Sequence, residues 1–121
     1  MNTIEPSENK VKELISLFDK KKFDQLLKLS NELIDEFPNS ILIQNIQGVV
    51  HTELKNYKLA KNLFIKVVNL SPNYTDGHYN LANVYNKLDE KEKAKIKFLE
   101  TLQRVGERKE FEGLEEAEQL V

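Results

Sequence analysis

The sequence predicts an all-α fold of paired helices repeated along the chain, and three observations carry that prediction. Identical residues recur 34 positions apart: Pro38 and Pro72, Leu54 and Leu88, Ala60 and Ala94, Phe64 and Phe98, Asn39 and Asn73. A fixed period of this size marks a repeat architecture, in which each unit buries its apolar face only by stacking on its neighbours. Within each period the apolar residues fall two to four positions apart, which is the spacing of a buried helical stripe. The composition agrees: 121 residues with 40% hydrophobic, 31% charged, four Gly and three Pro form one folded, helix-rich domain rather than a disordered chain.

Three units follow, residues 7–40, 41–74 and 75–108, each of two helices. In the first, Ser7 stands at an N-cap position, Leu14 and Leu17 mark the first helix, "DKKK" at 19–22 a polar turn, and Phe23, Leu26 and Leu33 the second helix. Shifted by one period, these five apolar positions become Gly48, His51, Tyr57, Ala60 and Val67, so the first copy is the weaker match. The second unit opens on Ser40 and the third on Thr75, both read as N-caps. Pro38 and Pro72 fall just past the second helices and stop them. In the third unit Tyr79, Leu81, Ala82, Val84, Tyr85 and Leu88 make one amphipathic helix. "LDEKEK" is then a polar break, and Ala94, Ile96, Phe98, Leu99 and Leu102 make the next helix. A mid-helix Gly48 costs about 1 kcal/mol of helix propensity relative to Ala, so its reading is a close helix approach, shared with Ala82, Ala60 and Ala94.

Charge and composition exclude several function classes. A net charge of −2 offers no positive field for a phosphate backbone or an anionic membrane. Without cysteine there is no disulfide framework, thiolate nucleophile or Cys-based zinc site. The four glycines are scattered and fit no nucleotide-binding loop. His51 and His78 lie 27 residues apart with no third histidine, so a metal centre is not expected, and each is read as a neutral, hydrogen-bonded core histidine. The acids "DEKE" at 89–92 read as a solvated inter-helix turn. The opening "MNTIEPSENKVKEL" has neither an apolar signal core nor a basic leader, and no run reaches bilayer length. The expectation is a cytoplasmic protein that is not an enzyme and carries no cofactor.

The third unit carries His78, Leu81, Ala82, Tyr85, Ala94 and Phe98, and the second Gly48, His51, Ala60, Phe64 and Pro72. In these residues the chain resembles the tetratricopeptide repeat family, whose pattern runs W-x2-L-G-x2-Y, then A-x3-F and a closing P. The first unit keeps chiefly Leu17, Leu26 and Pro38, with Ser30 where an aromatic is expected. The resemblance covers residues 7 to about 106. It implies a right-handed superhelical solenoid of about seven helices in a single domain, 1–121, closed by a capping helix at about 108–121. That last segment places Phe111, Leu114, Ala117 and Val121 at helical spacing among acids, as a solvating cap requires. The same segment is also long enough to reach back into a groove.

Function is then expected on the concave side, lined by first helices. The resemblance assigns this groove to Val11 and Ile15 of the first unit, Asn45, Val49 and Thr52 of the second, and Tyr79, Asn80, Asn83 and Asn86 of the third. Tyr79 and Val49 are read as apolar anchors and Asn45, Asn83 and Asn86 as polar clamps, since a carboxamide both donates and accepts. Three asparagines in a helix, where their propensity is poor, are the local inconsistency expected of a functional surface. The chain's twelve asparagines also produce such stripes by composition alone. "HYNLANVY" is similar to repeats that precede the catalytic domain of protein O-GlcNAc transferases, where an asparagine at the place of Asn80 forms a ladder for substrate peptides. The counterparts here are Ile46 and Lys12, so a single rung exists. Another subclass holds acidic chaperone C-termini in a Lys/Asn/Lys/Arg clamp. The corresponding positions are Val11, Ile15, Ile46, Asp76 and Asn80, which implies that such tails do not bind.

The reading is a non-catalytic interaction module or adaptor that takes a peptide or helix of a partner protein, without nucleic acid or membrane. Two other readings stay open: the substrate-recruiting part of a longer enzyme of glycosyltransferase or sulfotransferase type, and a self-associating structural protein.

Overall fold

A computed structural model describes residues 4–108. Six helices occupy them: α1 (Glu8–Asp19), α2 (Phe23–Glu36), α3 (Ile41–Glu53), α4 (Tyr57–Leu70), α5 (Thr75–Lys87) and α6 (Lys91–Arg108). The seventh helix expected at about 108–121 lies outside the described residues. By packing, the chain separates into two compact units, one ending at Leu63 and the other beginning at Phe64, inside α4.

The period is visible in the backbone itself. The second helix of each pair starts at Phe23, Tyr57 and Lys91, 34 residues apart, and each is preceded by the same turn. Lys21, Lys55 and Asp89 adopt φ of 57°, 64° and 62°. The next residue's N–H reaches back to the helix above: Lys22 to the Leu17 carbonyl at 2.9 Å, Asn56 to His51 at 2.8 Å, Glu90 to Tyr85 at 2.8 Å. Together with the bonds from Lys21 to Phe18, Lys55 to Thr52 and Asp89 to Asn86, this is the Schellman ending, which satisfies carbonyls that a helix end leaves orphaned. The turn is shorter than "LDEKEK" suggests, because Lys91 and Glu92 already form the first turn of α6.

In the first unit Leu14, Leu26, Leu33, Ile43 and Val50 make the core, none more than 6% exposed. Phe18 and Phe23 close it at the α1–α2 turn with ring centroids 5.6 Å apart and planes tilted 49°, within the range of about 4.5–7 Å of aromatic pairs. Ile46 also packs against this core, although the sequence pattern puts it on the groove side. In the second unit Ala82, Ala94 and Phe98 cluster with Tyr85. Small residues at Ala82 and Ala94 leave room for the aromatic rings beside them.

The starts of the first helices differ. Ser7 Oγ accepts from the Lys10 N–H at 3.3 Å, and Ser40 Oγ accepts from Ile43 N–H at 3.0 Å, as N-caps do. Thr75 does not cap α5. The N-cap there is Tyr74, with no side-chain bond, and Thr75 is the first helical residue. The cap lies one position before Thr75, at position 74, which corresponds to Ser40 by the 34-residue shift but holds a Tyr whose hydroxyl is too far from its own backbone to cap.

Candidate functional site

Each unit leaves a set of first-helix residues unused by its core. In the first, Val11 is half-buried on α1 and Ile15 is 48% exposed. On α3, Asn45, Val49 and Thr52 are half-buried. Thr52 turns its hydroxyl inward to its own helix, donating to the Gly48 carbonyl at 2.9 Å, so it offers a methyl more than a donor. Glu8 and Lys12, the charges on the same helix as Val11 and Ile15, pair with each other at 3.1 Å.

In the second unit α5 buries Gly77, His78, Leu81, Ala82 and Val84. Tyr79, Asn80 and Asn83 are half-buried and Asn86 is exposed. Tyr79, Asn83 and Asn86 follow one another at four- and three-residue steps, so they lie on one stripe. Among the described residues the side chains of Asn83 and Asn86 make no hydrogen bond, so both carboxamides are open to a ligand.

The nine residues expected to line a groove are therefore distributed as two faces, five in the first unit and four in the second, and none of the nine is Asp, Glu, Lys, Arg or His. A polar cleft of about 630 Å³ lies elsewhere in the second unit, lined by Asn69, Asn73, His78, Lys97, Glu100 and Gln103 among others. It contains none of the nine. Lys97 and Glu100 pair there at 3.1 Å, and His78, 3% exposed, directs Nε2 to the Pro72 carbonyl at 2.7 Å. Since a carbonyl only accepts, Nε2 carries the proton. His51 is half-buried at the end of α3, with Asn56 Nδ2 3.4 Å from its Nδ1. Burial lowers its pKa below the ordinary histidine value, because desolvation disfavours the charged ring.

Sequence reasoning missed two residues that shape the second and first units. A Cβ built on Gly77 would stand 2.9 Å from Val67 Cγ1 and 3.2 Å from Val68 Cγ1, so only glycine lets α5 settle this closely. Its signal was the propensity cost of a glycine in a helix. Glu5 reaches across 35 residues to bond Ser40 Oγ and accepts from the Ile41 N–H at 2.9 Å. No local pattern announces that contact. Among the described residues no three His, Asp or Glu side chains are placed to hold a metal ion, and no helix is long and apolar enough to cross a membrane.

Comparison with known proteins places this geometry. A family model, "Tetratricopeptide repeat", matches residues 43–74 and 75–104, together half of the chain. The Hsp70-Hsp90 organising protein of Plasmodium falciparum (isolate 3D7) is 32% identical over 71 residues, 59% of this chain. That match spans 13% of the relative's length. Among solved structures, the TPR2B domain of yeast Sti1 in its pHsp70 complex superposes with a TM-score of 0.83 at 17% identity, over 93% of this chain and 94% of that one. The first TPR of Spaghetti (RPAP3), bound to the HSP90 peptide SRMEEVD, gives 0.76 at 17% identity over 98% of both chains. The all-helical solenoid fold is thus shared with these proteins, and the chain belongs to the tetratricopeptide repeat family.

Proposed function

We propose that the chain is a non-catalytic interaction module, an adaptor whose first helices offer faces of mainly uncharged residues to a peptide or helix of a partner protein. The observation that carries this reading is the contrast on α5 between a buried side of Gly77, Leu81, Ala82 and Val84, where His78 is the one polar side chain, and a stripe of Tyr79, Asn83 and Asn86 whose carboxamides are unspent. Exposed Ile15 and half-buried Val11 and Val49 give the first unit an apolar counterpart. Recognition is then by apolar anchoring and backbone hydrogen bonding. Because association also costs ordering and desolvation, a lone peptide binds at roughly micromolar strength.

The family likeness supports a protein or peptide ligand, since solved relatives are described in complex with pHsp70 or with the HSP90 peptide SRMEEVD. The ligand here differs in charge. SRMEEVD is acidic, whereas the positions corresponding to a cationic clamp hold Val11, Ile15, Ile46, Asp76 and Asn80. A neutral, partly apolar segment suits these faces better. The single asparagine rung at Asn80 also argues for a short contact rather than the long peptide ladder of O-GlcNAc transferase repeats. The short share of the matched relative favours a second reading in which the chain is a recruiting module of a longer polypeptide.

Selection from a displayed peptide library tests the proposal, comparing wild type with Tyr79→Ala/Asn83→Ala/Asn86→Ala after circular dichroism shows both folded. Uncharged, apolar peptides retained by wild type and lost by the triple variant are the expected result. Enrichment of acidic peptides such as SRMEEVD, or equal retention by the variant, contradicts it.

A further inference from the structure

Within the otherwise apolar contact between α2 and α3, one buried pair is polar where the same positions one period later are apolar. Ser30 corresponds to Phe64 and Gln47 to Leu81, and all four are buried: Ser30 at 0%, Gln47 at 6%, Phe64 and Leu81 at 1% exposed. Gln47 Nε2 donates to Ser30 Oγ at 2.9 Å and to Asn31 Oδ1 at 2.9 Å. Ser30 Oγ in turn donates to the Leu27 carbonyl at 3.0 Å. Both amide hydrogens have acceptors, and the hydroxyl both accepts and donates.

A satisfied pair of this kind adds little net stability, but an amide buried without partners is costly. The asymmetry makes such a pair a discriminator. We propose that Ser30 and Gln47 form a polar key that specifies the order of the repeats, seating α2 on α3 and on no other first helix, whether of this chain or of a second copy. Repeats of equal length present near-equivalent surfaces, and misassembly or exchange between copies is their characteristic failure. Were α2 seated on α5, Ser30 would meet Leu81, and Gln47 would lose both acceptors at once. Buried polar groups that fix register in helical assemblies work by the same logic.

Three variants test the key: Ser30→Phe, Gln47→Leu and the double change, which installs the residues found one period later. Each single change is expected to raise the unfolding equilibrium constant by roughly ten-fold, and the double change to recover most of that loss. After refolding at high concentration the double variant is expected to form several-fold more exchanged dimer than wild type, read by light scattering on a sizing column. If Ser30→Phe fails to fold, Ser30→Ala/Gln47→Leu is the second carrier, with the same expected rise in dimer. Losses that simply add in the double variant, or a recovered stability with no more dimer than wild type, overturn the proposal.

Discussion

The start of α3 and the start of α5 face the same task 34 residues apart and meet it differently. At α3 the Ser40 hydroxyl takes the Ile43 N–H, the Glu5 carboxylate takes that of Ile41, and Gln44 Nε2 donates to the Ser40 carbonyl at 3.1 Å. At α5 Tyr74 supplies no side-chain cap, the Gly77 N–H turns to the Tyr74 carbonyl at 3.1 Å, and Thr75 Oγ1 is buried without a partner. Gly77 instead brings the helix close onto Val67 and Val68. The same division holds in the interior, where Gln47 and Ser30 stand at the positions of Leu81 and Phe64. At these matched positions the first unit adds directed polar contacts to its apolar core where the second relies on close apolar packing, so one period is compatible with two chemistries.

Matched substitutions break this comparison most strongly at the ring. Phe64→Ala removes a 1%-exposed aromatic and is expected to cost about 3–5 kcal/mol, whereas Ser30→Ala at the corresponding position costs about 1 kcal/mol; chemical denaturation of both variants measures the difference. Next is Ser40→Ala, which deletes a cap that also holds Glu5. A loss of about 1–2 kcal/mol is expected, with faster amide exchange at Ile41 and Ile43.

A smaller effect of opposite sign comes from the turns. Lys55 has φ of 64°, a region that costs a side-chain-bearing residue about 1–2 kcal/mol, so Lys55→Gly is expected to raise stability by about 1 kcal/mol after glycine's own entropy cost. A melting temperature below that of wild type contradicts this. The smallest effect is that of pH. Burial lowers the His51 pKa in the folded chain, so the unfolded chain binds the proton at higher pH. The contribution of His51 to stability is therefore complete above the unfolded value of about 6.5 and declines as pH falls below it. His51→Tyr is expected to flatten that part of the melting profile between about pH 7.5 and 5.5.

Much of the fold was legible because apolar period and turn punctuation are local properties. The paired helices and the stops at Pro38 and Pro72 follow from such signals. The two polar devices of the first unit were not legible for a common reason. Ser30 and Gln47 each look like a lapse from the repeat pattern, and only their 2.9 Å approach shows that the two lapses compensate. Glu5 and Ser40 are 35 residues apart, with nothing in either neighbourhood to couple them. The left-handed turns went unseen because Lys and Asp stand where glycine would have announced them. Of the expected binding residues, Tyr79, Asn83 and Asn86 follow the helical stripe that their spacing implies, while Thr52 spends its hydroxyl on its own helix.

The claim that the first-helix faces bind an uncharged ligand is tested most directly by titrating a library-selected peptide into labelled protein. Amide shifts are followed at about 50 mM and again at about 500 mM salt, where exposed charge–charge attraction is largely screened. Perturbations centred on Ile15, Val49, Tyr79, Asn83 and Asn86, with an affinity that changes by less than about two-fold across that range, are the expected result. Binding that collapses with salt, or shifts confined to the Lys97–Glu100 cleft, would contradict the account.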